Sequence, residues 1–124
     1  MVSNMIAVAV LPAANIERAR KFYADKLGLT PDRVEVDGSL FYQCKESAFL
    51  VYQTQYAGTA KNTAIGFRTD NIDREMKELR SRGVVFEEYD MPGLKTVNGM
   101  ATMGSLKAAW FKDSEGNILA VNQM

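Results

Sequence analysis

The stretch Asn15-Ile16-Glu17-Arg18 recurs 56 positions later as Asn71-Ile72-Asp73-Arg74, and this near-copy decides how the chain is organised. Each copy follows a short apolar run and precedes a helical pattern that stops at a glycine, Gly28 in the first and Gly83 in the second. An internal repeat defines the structural unit of a fold. The repeat therefore predicts two copies of a unit of roughly sixty residues, too few for a solenoid.

A second match fixes the size of an insertion. Residues 41–53 align with residues 111–123 at an offset of 70, so the offset between the copies grows by 14 along the unit. The extra residues fall in a stretch rich in glycine and methionine. We therefore predict one domain over 1–124, with the first unit at about 5–54, the second at about 62–123, and an inserted loop at about 90–105.

Hydrophobic patterning gives the same order of elements in both units. A short apolar run predicts a buried strand, and an asparagine N-cap then opens an amphipathic helix that ends at glycine. The strands predicted after the helices are 33–37, 40–44 and 48–53 in the first unit, and 84–89, 108–112 and 117–122 in the second. The predicted fold class is α+β: two βαβββ units form a curved, mainly antiparallel eight-stranded mixed sheet around a cavity, with the helices on its outer face.

Bulk composition excludes several classes of partner. Fifteen basic and fifteen acidic residues cancel, so there is no electrostatic footprint for nucleic acid or an anionic membrane. No apolar run approaches the ~20 residues of a membrane-spanning helix. Residues 1–4 carry no basic charge before the first apolar stretch, which argues against a secretory signal, and a single cysteine fits a reducing compartment. We expect a cytoplasmic protein that binds neither nucleic acid nor membrane.

The chain contains no histidine. This removes the usual general base at neutral pH, every Ser-His or Cys-His nucleophile pair, and every histidine metal ligand. Cys44 is then predicted to be an inert thiol, because no imidazole is present to lower its pKa. A carboxylate base among Glu35, Asp37, Glu87, Glu88 and Asp90 is the alternative, against solvated charges on edge strands.

Two motifs resemble one known superfamily. Residues 11–19, leading into Phe22-Tyr23 and Leu27-Gly28, look like the opening of vicinal oxygen chelate proteins, which include glyoxalase I, bleomycin-resistance proteins and extradiol dioxygenases. Residues 111–117 look like its closing signature, an aromatic residue before an Asp-Pro-Asp-Gly-Asn turn, here with serine and glutamate substituted. The resemblance implies the glyoxalase/bleomycin-resistance fold and a homodimer.

The resemblance also implies where metal ligands would stand. Family enzymes use one ligand on the first strand and one on the last strand of each unit, and these positions are Val8, Leu50, Ala64 and Ala120 here. Their neighbours in sequence are also without ligand side chains. Divalent metals need carboxylate, imidazole, thiolate or amide oxygen donors. We therefore expect no metal site and no cofactor.

An apolar centre predicts a hydrophobic pocket with a few polar side chains that can hydrogen-bond to a ligand. The candidate pocket residues are Tyr42, Phe49, Tyr52, Phe67, Trp110, Met100 and Met103. The alternative for the aromatic residues is that they simply fill the core, although a buried Trp110 would need a partner for its indole N–H. The two methionines belong to the insertion, which is either a lid over the cavity or a surface loop.

Three functions remain open at this point. The leading hypothesis is metal-free binding or sequestration of a small, hydrophobic or partly aromatic organic molecule. The second is a glyoxalase-type lyase, isomerase or dioxygenase, metal-dependent if the ligand positions are misaligned, or cofactor-free with a carboxylate or tyrosine. The third is a small-molecule sensor or an accessory subunit.

Overall fold

A computed structural model describes all 124 residues. The chain forms two α-helices, a short 3-10 helix and ten strands. In chain order these are the 3-10 helix Val2–Asn4, β1 Ala9–Ala13, α1 Ile16–Leu27, β2 Arg33–Val34, β3 Leu40–Cys44, β4 Ser47–Gln53, β5 Thr63–Arg68, α2 Ile72–Ser81, β6 Asp90–Met91, β7 Leu94–Val97, β8 Met100–Met103, β9 Leu106–Lys112 and β10 Ile118–Gln123. Neither helix is long and apolar enough to cross a membrane.

Each unit builds its own sheet, and the repeat predicted from the sequence sets the topology of both. The strand orders are β1-β4-β3-β2 and β5-β10-β9-β8-β7-β6. In each sheet the first strand runs parallel to the last, with Val10 opposite Leu50 in one and Gly66 opposite Ala120 in the other. All other strand pairs are antiparallel. The predicted α+β fold is confirmed, with ten strands in two sheets rather than eight in one.

The insertion extends the second sheet instead of forming the predicted loop over 90–105. It forms β6, β7 and β8, and β8 pairs with the first half of β9 through Ala101 and Ala108. Glycines in its tight turns gave it the sequence pattern of a loop. The predicted strand 84–89 is wrong in extent, because only Phe86 bridges to Phe111 at the other half of β9.

The predicted strand 33–37 is also shorter than expected, ending at Val34. A tight turn follows it, in which the Gly38 amide donates to the Glu35 carbonyl and the Glu35 amide donates to the Ser39 carbonyl. Gly38 has φ +89°, a conformation that glycine adopts without strain. The turn at Asp37-Gly38 thus includes residues 35–37, which the hydrophobic pattern assigns to the strand.

Both helices begin at the duplicated asparagine. The Asn15 side chain accepts from the Arg18 amide at 3.0 Å, and the Asn71 side chain accepts from the Arg74 amide at 3.1 Å. Each cap satisfies one of the amides that a helix start leaves without a partner. The helix starts were therefore predictable from local sequence alone.

One hydrophobic core joins the two units. At its centre the Tyr42 ring stacks on Phe49 with 4.9 Å between centroids, and Tyr23 of α1 stacks on Tyr42 at 5.3 Å. The edge of Phe67, from the second unit, meets Phe49 at 6.0 Å. Aromatic contacts of this geometry add about 0.5–1.5 kcal/mol each beyond area burial. The core therefore crosses from one sheet to the other even though the sheets share no backbone hydrogen bond.

The turn between β9 and β10 holds the first helix through buried polar side chains. Asp113 accepts from the Tyr23 hydroxyl at 2.7 Å, and Glu115 accepts from the Arg18 guanidinium at 2.8 Å. Glu115 also accepts from the Asn15 amide, and the Asn117 side-chain amide donates to the Pro12 carbonyl at 2.9 Å. We call Asp113, Glu115 and Asn117, with their contacts to the first unit, the turn clasp.

The turn clasp has no counterpart in the other direction. The corresponding turn of the first unit, residues 44–47, makes no hydrogen bond to α2. Instead, the Ile72 amide donates to the Gln123 side chain, and Arg74 pairs with Asp70 and Glu75 at the surface. The two units therefore share the capped helix and the parallel pairing of first and last strands, but the contacts that join them are asymmetric.

Two buried tyrosines allow the clasp to be tested in isolation. The Tyr23 hydroxyl donates to the Asp113 carboxylate, whereas the Tyr42 hydroxyl is buried without a hydrogen-bond partner. We expect Tyr23→Phe to lower the free energy of unfolding by about 1.5–3 kcal/mol, since hydrogen bonds to charged groups contribute that much. The matched control Tyr42→Phe should be neutral or stabilising. Urea titrations of both variants test this, and equal losses would contradict it.

The lowered pKa of the Glu115 carboxyl predicts that the protein loses stability in acid. Burial raises the pKa of its carboxyl, but hydrogen bonds from Arg18, the Asn15 amide and Ser114 outweigh burial and lower the pKa from 4.5 to about 2. Because the folded-state pKa is lowered, the stabilisation is complete above pH 4.5 and is lost as the pH falls from there through about 2. Urea titrations across this range should show wild type losing about 2 kcal/mol more than Glu115→Gln. Parallel losses would exclude Glu115 as the cause.

Candidate functional site

Strand alternation gives each sheet two unlike faces. Leu11, Phe49 and Val51 point towards the helices and are buried, while Val10 and Tyr52 point away and are exposed. We call the side away from the helices the open face. Leu50, Gly66 and Ala120 belong to it by register, with Val10 opposite Leu50 and Gly66 opposite Ala120. The open face is thus largely aliphatic at the centre of both units.

A cleft of about 460 Å³ lies where the first strands of the two units approach each other. We call it the seam cleft. Eight of its ten lining residues are hydrophobic, and the lining comes from the start of β1 and the two residues before it, the end of β3, the start of β4, and the middle of β5. The lining residues are Ala7, Val8, Ala9, Cys44, Ser47, Ala48, Phe49, Ile65, Gly66 and Phe67. A cleft of this size and composition matches the small-molecule sites of other proteins.

The polar chemistry of the seam cleft is limited to a thiol and a hydroxyl. Burial raises the pKa of the Cys44 thiol, so the sulfur is protonated and a poor nucleophile at neutral pH. Ser47 donates its hydroxyl to the Cys44 carbonyl at 2.9 Å. Neither side chain has an acid or base beside it among the lining residues. The cleft can bury an apolar molecule, and it presents no residue pair for general acid-base chemistry.

Of the four positions that the resemblance assigns to metal ligands, three stand on strands and Val8 lies just before β1, and none carries a donor side chain. Val8 lines the seam cleft, Leu50 and Ala120 stand on the last strands, and Ala64 stands on β5. Nowhere in the chain do three or more histidine, cysteine, aspartate or glutamate side chains come together as a possible metal site. The residues present therefore do not fit the superfamily's metal centre.

The structure brings two of the predicted pocket residues together at the seam cleft, namely Phe49 and Phe67, and distributes the others. Tyr42 is fully buried beneath α1, and Met100 packs against the same core. Tyr52 and Met103 are partly exposed, at 37% and 41%.

Trp110 stands on the open face, away from the cleft. Its indole N–H donates to the Thr63 hydroxyl at 3.2 Å, and its ring meets the edge of Tyr89 at 5.6 Å between centroids.

Sequence reasoning missed part of the cleft and one buried polar group. Ala7, Ala9, Cys44 and Ser47 line the cleft, although they carried no signal beyond their position near strand ends. Asn122 lies on the open face opposite Arg68 and Ala108, and its side-chain oxygen is buried without a hydrogen-bond partner. A polar residue near the end of an otherwise apolar strand is the signal that could have found it.

Comparison with solved structures gives similar folds over nearly the whole chain. TnmS3, an antibiotic-binding protein from Streptomyces sp. CB03234, is 23% identical with a TM-score of 0.64, and 97% of each chain is covered. A glyoxalase/bleomycin-resistance protein from the same organism is 24% identical with a TM-score of 0.67, covering 96% of this chain and all of the other. A glyoxalase family protein from Enterococcus faecalis is 18% identical with a TM-score of 0.72, covering 98% and 99%.

A search of curated proteins finds no match. The family model described as Glyoxalase/Bleomycin resistance protein/Dioxygenase superfamily matches residues 5–121, which span both units, both helices and the turn clasp. The duplicated unit, the parallel pairing of first and last strands and this match agree. The chain belongs to the glyoxalase/bleomycin-resistance/dioxygenase superfamily.

Proposed function

We propose that this protein binds and sequesters a small, partly aromatic organic molecule in the seam cleft, without a bound metal. The observation that carries the proposal is the lining of the cleft, in which eight of ten residues are hydrophobic and the expected ligand position is Val8. Apolar surface removed from water contributes about 25 cal/mol per Å². An aromatic ligand would gain this term together with an edge contact to Phe49 or Phe67.

The fold supports the same proposal. TnmS3, which has this fold over 97% of both chains, is an antibiotic-binding protein. A function of this kind needs a shaped apolar site and no reacting groups, which is what the cleft offers.

A homodimer and a cytoplasmic location also remain our predictions. Val8, Val10 and Tyr52 are exposed on the open face at 37%, 54% and 37%. A second copy that covered this face would bury them and would enclose the ligand site more fully. The net charge of zero is compatible with a monomer and with a homodimer.

The binding site can be tested with a neutral aromatic probe, N-phenyl-1-naphthylamine, whose fluorescence rises in apolar surroundings. We expect saturable binding to wild type. Val8→Asp should weaken it at least about tenfold, because a ligand in the cleft would leave the new carboxylate desolvated and unpaired. The matched control is Val10→Asp, which puts the same charge on the same strand face outside the cleft.

The two variants separate the possible outcomes of this titration. Loss of probe binding in Val8→Asp alone supports the seam cleft as the site. Equal loss in both variants would place the probe on the wider open face, and no saturable binding by wild type would overturn the proposal. Circular dichroism of each variant confirms that the fold is retained.

Metal analysis tests the other half of the proposal. We expect less than stoichiometric transition metal in protein purified without chelators, and unchanged affinity for the naphthylamine probe after treatment with EDTA. Four aliphatic side chains at the expected ligand positions cannot coordinate a divalent ion. One metal ion per chain, removed by EDTA together with probe binding, would refute metal-free function.

A further inference from the structure

A second cavity, of about 340 Å³, lies on the helix side of the sheets, between the C-terminal parts of α1 and α2. We call it the helix-side cavity. Its apolar lining comes from both helices and both sheets, and comprises Leu27, Leu29, Cys44, Phe67, Leu79, Phe111 and Val121. The volume falls at the small end of the range for ligand sites. Nothing in the proposed function uses this cavity.

The charged side chains around the cavity do not balance. Its lining includes three cationic residues, Lys26, Arg68 and Arg82, and two acidic residues, Glu75 and Glu78. Arg82 is held by Glu78 at 3.0 Å, and Glu75 is engaged by Arg74 at 3.3 Å. Both acidic side chains thus have their own guanidinium partner, while Lys26 and Arg68 have no acidic side chain within salt-bridge distance. The cavity carries an excess of unpaired positive charge.

The positions of Lys26 and Arg82 follow from the two glycines that end the helices. A Cβ added at Gly83 would lie 2.6 Å from the Lys26 ammonium, and one added at Gly28 would lie 3.3 Å from the Arg82 guanidinium. The end of each helix therefore carries a cationic side chain that reaches the C-terminal end of the other helix. Because Gly83 has no side chain, the Lys26 ammonium can approach the C-terminal end of α2 at the border of the cavity, where it donates to no carboxylate and the negative end of the helix dipole favours its charge.

We propose that the helix-side cavity is a second small-molecule site, which takes a monocarboxylate with an apolar body of medium length. The apolar body would occupy the surface between Leu29, Phe67 and Leu79. The carboxylate would meet Lys26 and Arg68, the two cations without an acidic partner. Arg68 is the last residue of β5, an edge strand, and lines the cavity from that edge of the sheet. Charge-assisted hydrogen bonds of this kind are among the strongest a protein makes to a carboxylate.

The cavity contains a built-in reporter. Cys44 is the chain's single cysteine, and it lines both the helix-side cavity and the seam cleft. An occupant of either site should shield its thiol from alkylation. Variants that disable one site at a time then show which site is occupied.

The experiment measures alkylation of Cys44 by iodoacetamide, followed by intact-protein mass spectrometry, in the presence of octanoate. We expect saturating octanoate to slow the reaction at least about fivefold, and octanol, which lacks the charge, to need about a tenfold higher concentration. Lys26→Met and Arg68→Met should each weaken protection by octanoate about tenfold. The matched control is Lys77→Met, an exposed lysine of α2 that does not line the cavity.

The two sites are separated by crossing the variants. Val8→Asp should keep protection by octanoate while it loses the naphthylamine probe, and Lys26→Met should do the reverse. Loss of octanoate protection in Val8→Asp would place octanoate in the seam cleft and would overturn the second site. No protection of wild type, equal potency of octanol, or Lys26→Met and Arg68→Met behaving like Lys77→Met would also overturn it. Naphthylamine binding by wild type is measured independently of octanoate protection, so the proposed function stands or falls separately.

Discussion

The structure depends on two buried carboxylates that reach from the second unit into the first. Asp113 and Glu115 are 6% and 5% exposed, and each is stabilised by hydrogen bonds from α1 or its N-terminus. An isolated carboxylate at such depth would be costly, so each partner is required. The two sheets share no backbone hydrogen bond, which leaves the turn clasp and the aromatic core to fix how the units sit against each other.

That arrangement also determines the shape of the cavities on both sides of the molecule. Phe67 belongs to β5 but packs against Phe49 of β4, so the core crosses the boundary between the units. Phe67 and Cys44 line the seam cleft and also the helix-side cavity. A shift of one unit against the other would therefore change both cavities together. The hydrogen bonds of the turn clasp therefore help to maintain the shape of both the seam cleft and the helix-side cavity.

Local patterns predicted the fold well because the interactions that decide it are local. Asn15 and Asn71 cap their helices within three residues, and strand alternation separates buried from exposed positions. The insertion was harder to predict, because its strands are only two to four residues long and are interrupted by glycine turns. A period of two also does not say which face lies under the helices, so Tyr42, beneath α1, was grouped with Tyr52, on the open face.

The candidate sites depended on contacts that no local pattern contains. Cys44 and Phe67 line both cavities although they belong to different units of the chain. The aliphatic identity of Val8, Leu50, Ala64 and Ala120 could be read directly from the repeat. The cleft beside them could not, because it arises where strand edges of separate sheets approach without pairing.

The asymmetry of the turn clasp also affects how the protein can change. If both units were joined in the same way, the turn of each would make buried hydrogen bonds to the other unit. Substitutions in either turn would then destabilise the fold. Here only the second turn, residues 113–117, makes such hydrogen bonds. The first turn, residues 44–47, makes none to the second unit, and its Cys44 and Ser47 line the seam cleft. Substitutions at residues 44–47 can therefore change the cleft with less effect on the contacts between the units than substitutions at residues 113–117.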